Sequence, residues 1–377
     1  MSELEQYLVP IRRYSANPCM DCCFPIQEKK ISEIKLDIYG VPDLSNWPQI
    51  FEIQNTAQKC YYTIKQHEKV MCSVSGGYDS DIVLDLVIRC GGRAKTTFVF
   101  NDTGLEYDAT KEHLMRLKER YGIQIKRLFP QKAIPSCCRD YGVPFWSKYV
   151  SSMIYRLQKH GFQWEDKPLE VLLDRYPGCR SALRWWCNDF KTANGRESRF
   201  NIAYVKGLKE FIRQNPPDFR ISAKCCEYSK KVPAHKELLI GDYDLNITGI
   251  RKKEGGTRSS AYKSCYDEIF CGPDNYRPVF WWGDAEKEAY RKWAGIIRSD
   301  CYELWGMKRT GCAGCPFGKD FEQEIDLVHE FEPKRYRAME AVFGQSYEYT
   351  RQFLAYREQM KSLQRNADQI RLEGFYE

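Results

Sequence analysis

The chain has 377 residues, 58 Lys and Arg against 51 Asp and Glu for a net charge of +7, 43% hydrophobic residues and 17 Cys. At about 100 to 200 residues per domain this is one large domain with appendages or two domains, which excludes a disordered chain or coiled coil, and no apolar run approaches the ~18 residues of a membrane span. The opening MSELEQYLVPIRR has neither the basic nor the apolar region of a signal peptide, so a cytoplasmic protein with no membrane contact is expected, whose clustered cysteines serve metal ligation rather than disulfides.

Residues 1–65, with Cys19, Cys22 and Cys23 near the start, are weakly patterned and read as an extension packed on something larger. From Lys69 the pattern sharpens. Residues 69–75 (KVMCSVS) predict a strand, Gly76-Gly77 a turn, and Asp81 to Cys90 a helix stopped by Gly91-Gly92. Residues 95–101 (KTTFVFN) predict a second strand, Tyr107 to Tyr121 an amphipathic helix, and Ile123 to Leu128 a third strand. Strands alternating with helices of this length argue for a doubly wound parallel α/β sheet, with ligands bound outside the carboxyl ends of the strands. Residues 135–240 read as a helical insertion with basic and aromatic residues interleaved, 242–251 as a further strand, and everything from Glu322 as a helical C-terminal cap. The expected domains are 1–65, 66–330 and 331–377.

The segment Ser75-Gly76-Gly77-Tyr78-Asp79-Ser80 stands where a strand meets a helix. Two glycines let backbone N–H groups approach an anion, Ser75 and Ser80 add hydroxyl donors, and the helix presents the positive end of its dipole. A bland Gly-containing turn would look similar. The spacing is neither that of a Walker loop nor of G-x-G-x-x-G. SGGYDS resembles the PP-loop, SGGxDS, of the ATP pyrophosphatase superfamily, and Asp102-Thr103-Gly104 resembles the DTG element of phosphoadenylyl-sulfate reductases. The resemblance implies that Ser75, Gly76, Gly77, Asp79, Ser80, Asp102, Thr103 and Gly104 bind ATP or an adenylylated nucleotide. If the ligand is ATP, Mg²⁺ between Asp79 and Asp102 is the simplest counter-cation.

Two thiol pairs follow: Cys225 with Cys226, and Cys312 with Cys315 in a Gly-flanked CxxC. Four thiolates suit either zinc or a [4Fe–4S] cluster. The CC pair before a distant CxxC resembles the ligand pattern of assimilatory adenylyl-sulfate reductases, which implies a [4Fe–4S] cluster with Zn²⁺ as the alternative. Lys224, Lys230 and Lys231 would offset its negative charge. Residues 248–258 resemble the family's arginine loop, implying that Arg251 and Arg258 clamp an anionic nucleotide, although Gly255-Gly256 interrupts the usual pattern. Arg184-Trp185-Trp186-Cys187-Asn188-Asp189-Phe190-Lys191 resembles an R-W-C-x-x-x-x-K element. That gives Cys187 and Lys191 a catalytic reading beside Asp79 and Arg251, with the Trp pair as a stacking platform or simply as core.

Sulfonucleotide reductases of this family attack with a C-terminal tail cysteine in an ECGLH-like motif, whereas the last cysteine here is Cys315. The reading that follows is an iron–sulfur PP-loop enzyme using ATP for adenylation or sulfur transfer, its acceptor extending to nucleic acid such as tRNA or DNA. The alternatives are a sulfonucleotide reductase with a relocated cysteine and a non-catalytic nucleotide-sensing or scaffolding module. A homodimer or a larger assembly is compatible with the chain.

Overall fold

Apolar runs of four to six residues bounded by glycine turns become strands, and the 3.6-residue patterns between them become helices. The computed structural model describes residues 31–255, 261–317 and 320–373, with side chains to residue 365. Arg258, Cys19, Cys22 and Cys23 lie outside the described residues. The helices are α1 (Phe51–Gln66), α2 (Tyr78–Arg89), α3 (Asp108–Tyr121), α4 (Ile134–Tyr141), α5 (Lys148–Lys159), α6 (Leu169–Arg175), α7 (Arg180–Trp186), α8 (Leu208–Gln214), α9 (Lys224–Cys226), α10 (Val232–Gly241), α11 (Asp284–Ala294), α12 (Asp300–Glu303), α13 (Phe321–Phe331) and α14 (Pro333–Glu373). The strands are β1 (Val70–Ser73), β2 (Thr96–Asn101), β3 (Ile125–Leu128), β4 (Leu245–Ile247), β5 (Tyr266–Asp267) and β6 (Asp274–Tyr276).

The sheet runs β3-β2-β1-β4-β6-β5, and only the edge pair β5–β6 is antiparallel. Its register sets Cys72 against Phe98 on one side and Ile247 on the other. β1 and β4 are neighbours although more than 170 residues separate them in sequence, so the strand order reverses between them. The loops leaving these two strands, 74–77 and 248–251, therefore open the crevice where doubly wound sheets bind ligands.

Helix α2 lies at the centre of the core: Ile82, Val83, Leu84, Leu86, Val87 and Ile88 are all buried. Asp85, also buried, accepts from Arg89 Nε at 2.6 Å, Tyr290 OH at 2.7 Å and Tyr121 OH at 2.9 Å, so its charge is satisfied. The stretch up to residue 65 supplies more than an extension. Ile53, Ala57, Cys60 and Ile64 line one face of α1, and Thr56 Oγ1 accepts from Trp282 Nε1 at 2.8 Å.

The helical insertion builds its own core from α5, α7 and α8, around Phe145, Ile154, Trp185, Trp186 and Phe211. Trp185 and Trp186 are 1% and 0% exposed, so the pair is core and not an exposed platform. Helix α14 joins two cores: it gives Tyr349 and Phe353 to the insertion, and Met339, Phe343 and Tyr347 to the core containing Cys138, Cys225 and Cys301. No helix among the described residues is long and apolar enough to cross a membrane.

Candidate functional site: the glycine loop and the thiol set

The loop after β1 is shaped by two glycines. Gly76 takes φ 68°, and a Cβ there would stand 2.9 Å from Thr110 Cγ2. A Cβ on Gly77 would stand 3.2 Å from Ser75 Oγ and 3.3 Å from Thr310 Oγ1. Ser80 Oγ donates to the Gly77 carbonyl at 2.7 Å and accepts from Ser75 Oγ at 3.0 Å and Ser75 N at 3.1 Å. The Gly77 and Tyr78 N–H groups make only long contacts, 3.3 Å to Ser75 Oγ and 3.5 Å to Tyr302 OH. Weakly engaged N–H donors at the start of a helix are the kind that anion sites use.

Asp79 does not stand free. Its carboxylate lies 3.0 Å from Arg251 Nε and 3.0 Å from Lys287 Nζ, while Arg251 Nη1 reaches Asp284 at 3.0 Å and Lys253 reaches Asp284 at 2.9 Å. Glu254 adds a third carboxylate, accepting from Arg251 N at 3.0 Å, so three cations face three carboxylates beside the loop. Arg251 is buried; burial opposes its charge, and Asp79 and Asp284 more than restore it. Gly249 brings this arm in close, since a Cβ there would stand 3.1 Å from the Asp79 and Ser80 backbone. Behind the loop, Asp81 faces His113 Nε2 at 2.7 Å, and burial raises the Asp81 carboxyl despite that partner.

Asp102 is also engaged. Arg127 donates to it through Nε at 2.9 Å and through Nη2, and Gly104 N donates at 3.1 Å. Burial works against ionisation, yet Arg127 and Gly104 hold the Asp102 carboxyl below its ordinary value. The two carboxylates expected to share a magnesium ion are thus each met by cations of the chain itself.

The DTG turn leads directly to the thiols. Glu106, buried, accepts from Thr103 Oγ1 at 2.6 Å and from Gly104 N at 3.0 Å. Thr103 Oγ1 lies 3.5 Å from Cys312 Sγ, Glu106 pairs with Cys312 as an antiparallel bridge, and Ala313 N donates to the Leu105 carbonyl at 2.6 Å. Two residues before Cys312, Thr310 Oγ1 lies 3.1 Å from Tyr302 OH, the same hydroxyl that meets the Tyr78 N–H. One short segment, Thr310 to Ala313, therefore forms a wall shared by the loop and the CxxC.

The two thiol pairs are drawn into one neighbourhood. The neighbouring Cys138 thiol first, then burial, puts the Cys225 thiol well above the ordinary range. Cys226 is raised likewise, chiefly by Cys225. Burial pushes Cys315 up to about 12, with Cys226 and Cys312 adding to the effect. Half-buried Lys230 is held protonated, first by Cys312 and then by Glu106, Cys226 and Cys315. A π-helical turn, Glu227–Lys231, directly follows the CC pair; such turns alter which way successive side chains face and recur at functional sites. Among the described residues no group of three or more His, Cys, Asp or Glu side chains stands in ion-holding geometry.

A family comparison matches this architecture from β1 onward: residues 69–159 fit the model "Phosphoadenosine phosphosulfate reductase domain". This stretch is similar to such a domain. It carries the loop, the DTG turn and Cys138, whereas Cys225, Cys226, Cys312 and Cys315 lie beyond it. The chain is 25% identical over 277 residues to an uncharacterized protein of Methanocaldococcus jannaschii, covering 74% of this chain and 41% of that one. It is 34% identical over 92 residues to adenosine 5'-phosphosulfate reductase of Rhodococcus erythropolis, covering 24% and 36%, and 31% identical over 93 residues to adenosine 5'-phosphosulfate reductase 2 of Bacillus subtilis, covering 24% and 38%. The chain thus spans well under half the length of these curated relatives. Similar solved structures include phosphoadenylyl-sulfate reductase from Candida auris, at TM-score 0.37 and 13% identity over 74% of this chain and 98% of that one. The U34-tRNA thiolase of Methanococcus maripaludis with its [4Fe-4S] cluster follows at TM-score 0.33 and 13% identity, over 79% and 78%.

Around the matched stretch, the structure gathers Ser75 to Ser80 with Arg251, and Asp102 to Gly104 with Cys312. It places Cys187 and Lys191 in the helical insertion, and no hydrogen bond or ion pair joins either to the loop among the described residues. Cys187 contacts the Lys167 carbonyl, burial raises its thiol, and Lys191 pairs with Glu197 at the surface. A protonated thiol is a poor nucleophile. Sequence reasoning missed Lys287, Tyr302, Thr310, Glu106 and Cys138 as site residues. Thr310 stands two residues before Cys312, which was a usable signal; Lys287 sits on an ordinary amphipathic helix and gave none.

Proposed function

We propose that the chain is a PP-loop enzyme that binds ATP at Ser75–Ser80 and couples its cleavage to adenylation of an acceptor or to sulfur transfer at the neighbouring thiols. The observation carrying this reading is the wall from Thr310 to Ala313, which touches the glycine loop at one end and the DTG turn at the other. In adenylation the acceptor oxygen bonds the α-phosphorus as the α–β bridge breaks, and pyrophosphate leaves. The loop N–H groups, Ser75 and Ser80 suit the leaving pyrophosphate, and the Arg251 and Lys287 side chains are cations that can turn to the charge developing on it.

The donor set fits a [4Fe–4S] cluster in kind, four thiols with Cys138 beside Cys225 and Lys230 as a counter-charge. Cys225, Cys226, Cys312 and Cys315 would hold it. Bound there, such a cluster supplies electron transfer or a site for labile sulfur. Loading metal on thiols would release protons, since the ligands bind as thiolates.

Incubation of anaerobically reconstituted protein with ATP tests the reading. AMP and pyrophosphate with roughly four iron per chain are expected. Sulfite release from adenylyl sulfate without ATP cleavage would replace it with a reductase, binding without turnover would replace it with a sensor, and a colourless protein with one zinc would overturn the cluster.

A further inference from the structure

A cavity of about 610 Å³ is lined by α5, the Pro177–Arg180 turn and the Ser222–Lys231 segment. Cys226 is part of its wall. Six cations line it, of which five, Lys148, Arg156, Lys159, Arg180 and Lys231, are exposed. None of the five has a carboxylate within ion-pair distance among the described residues. The carboxylate in the lining, Glu227, is already paired with Lys224 at 2.8 Å. Leaving so many like charges together is unfavourable for the bare protein, because their mutual repulsion is offset only by solvent and salt.

The arrangement along α5 says what kind of anion fits. Lys148, Ser152, Tyr155, Arg156 and Lys159 recur at helical spacing on one face. At 1.5 Å rise per residue the ridge from Lys148 to Lys159 is about 16 Å long. A single phosphate needs no such length; at about 3.4 Å of rise per nucleotide, the ridge matches four or five consecutive phosphates of one strand. Tyr155, in the same lining, offers a ring on which a base can stack.

We propose that this cavity is a binding site for a single-stranded nucleic acid segment, which it delivers to Cys226. The assignment of the strand as acceptor rests on the proposed sulfur or adenylyl transfer; the binding itself does not. Five phosphate contacts on a single strand give a salt slope of about −3.5, and hence roughly a hundredfold loss of affinity between 50 and 200 mM salt.

The test is fluorescence anisotropy with fluorescein-labelled twelve-nucleotide RNA and DNA strands, without ATP. The comparison is between wild type and the triple variant Arg156→Gln, Lys159→Gln, Arg180→Gln, whose three positions are exposed and lie outside the nucleotide and thiol sites. The variant should bind more weakly and lose only about sevenfold over the same salt range, since two contacts remain. Asp79→Asn protein should bind the strands as wild type does, so a failed nucleotide assignment leaves this result standing. Tighter binding of one strand type tells RNA from DNA. No binding of either strand at 50 mM salt, an unchanged salt slope in the triple variant, or displacement of the strand by millimolar inorganic phosphate would each overturn the proposal.

Discussion

Replacing Asp79 by Asn keeps the size of the side chain and removes its charge from between two cations. The Asp79, Arg251 and Lys287 side chains are 19%, 9% and 13% exposed, and both N–O distances are 3.0 Å. Exposed pairs contribute about 0.2–1 kcal/mol, while breaking a buried pair costs about 3–5 kcal/mol because an uncompensated charge remains. Arg251 keeps Asp284, so Lys287 bears most of the loss, and an intermediate cost of about 2–4 kcal/mol follows. Urea denaturation of the metal-free protein should show this as a lower midpoint at unchanged slope. Pyrophosphate, as an alternative partner for the freed cations, should restore about 2.7 kcal/mol at one hundred times its Kd. A variant within 0.5 kcal/mol of wild type would show that the three charges do not support one another, and the account of the loop's electrostatics would fail.

Three further outcomes are expected. Gly76→Ala should weaken ATP binding measured calorimetrically and destabilise the protein by about 1–3 kcal/mol, from left-handed strain and the Thr110 contact; adding Thr110→Ser should recover part of the loss, and no recovery would remove the contact from the explanation. Asp85→Ala should cost about 3–5 kcal/mol in urea denaturation by stranding Arg89 and two tyrosine hydroxyls; a smaller loss would mean that water replaces the carboxylate. Burial raises the Glu324 carboxyl against the pull of Arg309, so the folded chain keeps that proton to higher pH than the unfolded chain. The associated stability is present below the unfolded value near 4.5 and lost as pH rises through the folded value. Glu324→Gln should therefore match wild type near pH 4 and exceed it at pH 7, and the reverse order would contradict the burial effect.

The alternation of strands and helices from Val70 to Leu128 was legible because each element buries a continuous apolar set: the expected strand 95–101 is Thr96–Asn101, and the expected helix 107–121 is Asp108–Tyr121. Helix α1 escaped notice because its buried face is a narrow stripe within a polar sequence. Strands β5 and β6 escaped because two or three residues carry no period. At the site, SGGYDS and the cysteine pairs were visible as local patterns. The partners of Asp79 and Asp102 were not, since Lys287, Arg251 and Arg127 reach them only through the fold, and charge pairing across 208 or 172 residues leaves no mark in spacing. For the tryptophan pair at 185 and 186 the sequence left a stacking platform and core open, and the insertion uses both side chains for packing.

The proximity of Thr310 to Cys312 has a thermodynamic corollary. A ligand that shifts the hydroxyl pair of Tyr302 and Thr310 pulls on a chain only two residues from a sulfur, so occupancy at one end and metal loading at the other bias a common backbone. By reciprocity, whatever factor metal loading exerts on nucleotide affinity, nucleotide must exert on metal affinity. Chelator resistance in the presence and absence of nucleotide would then read the strength of that link directly.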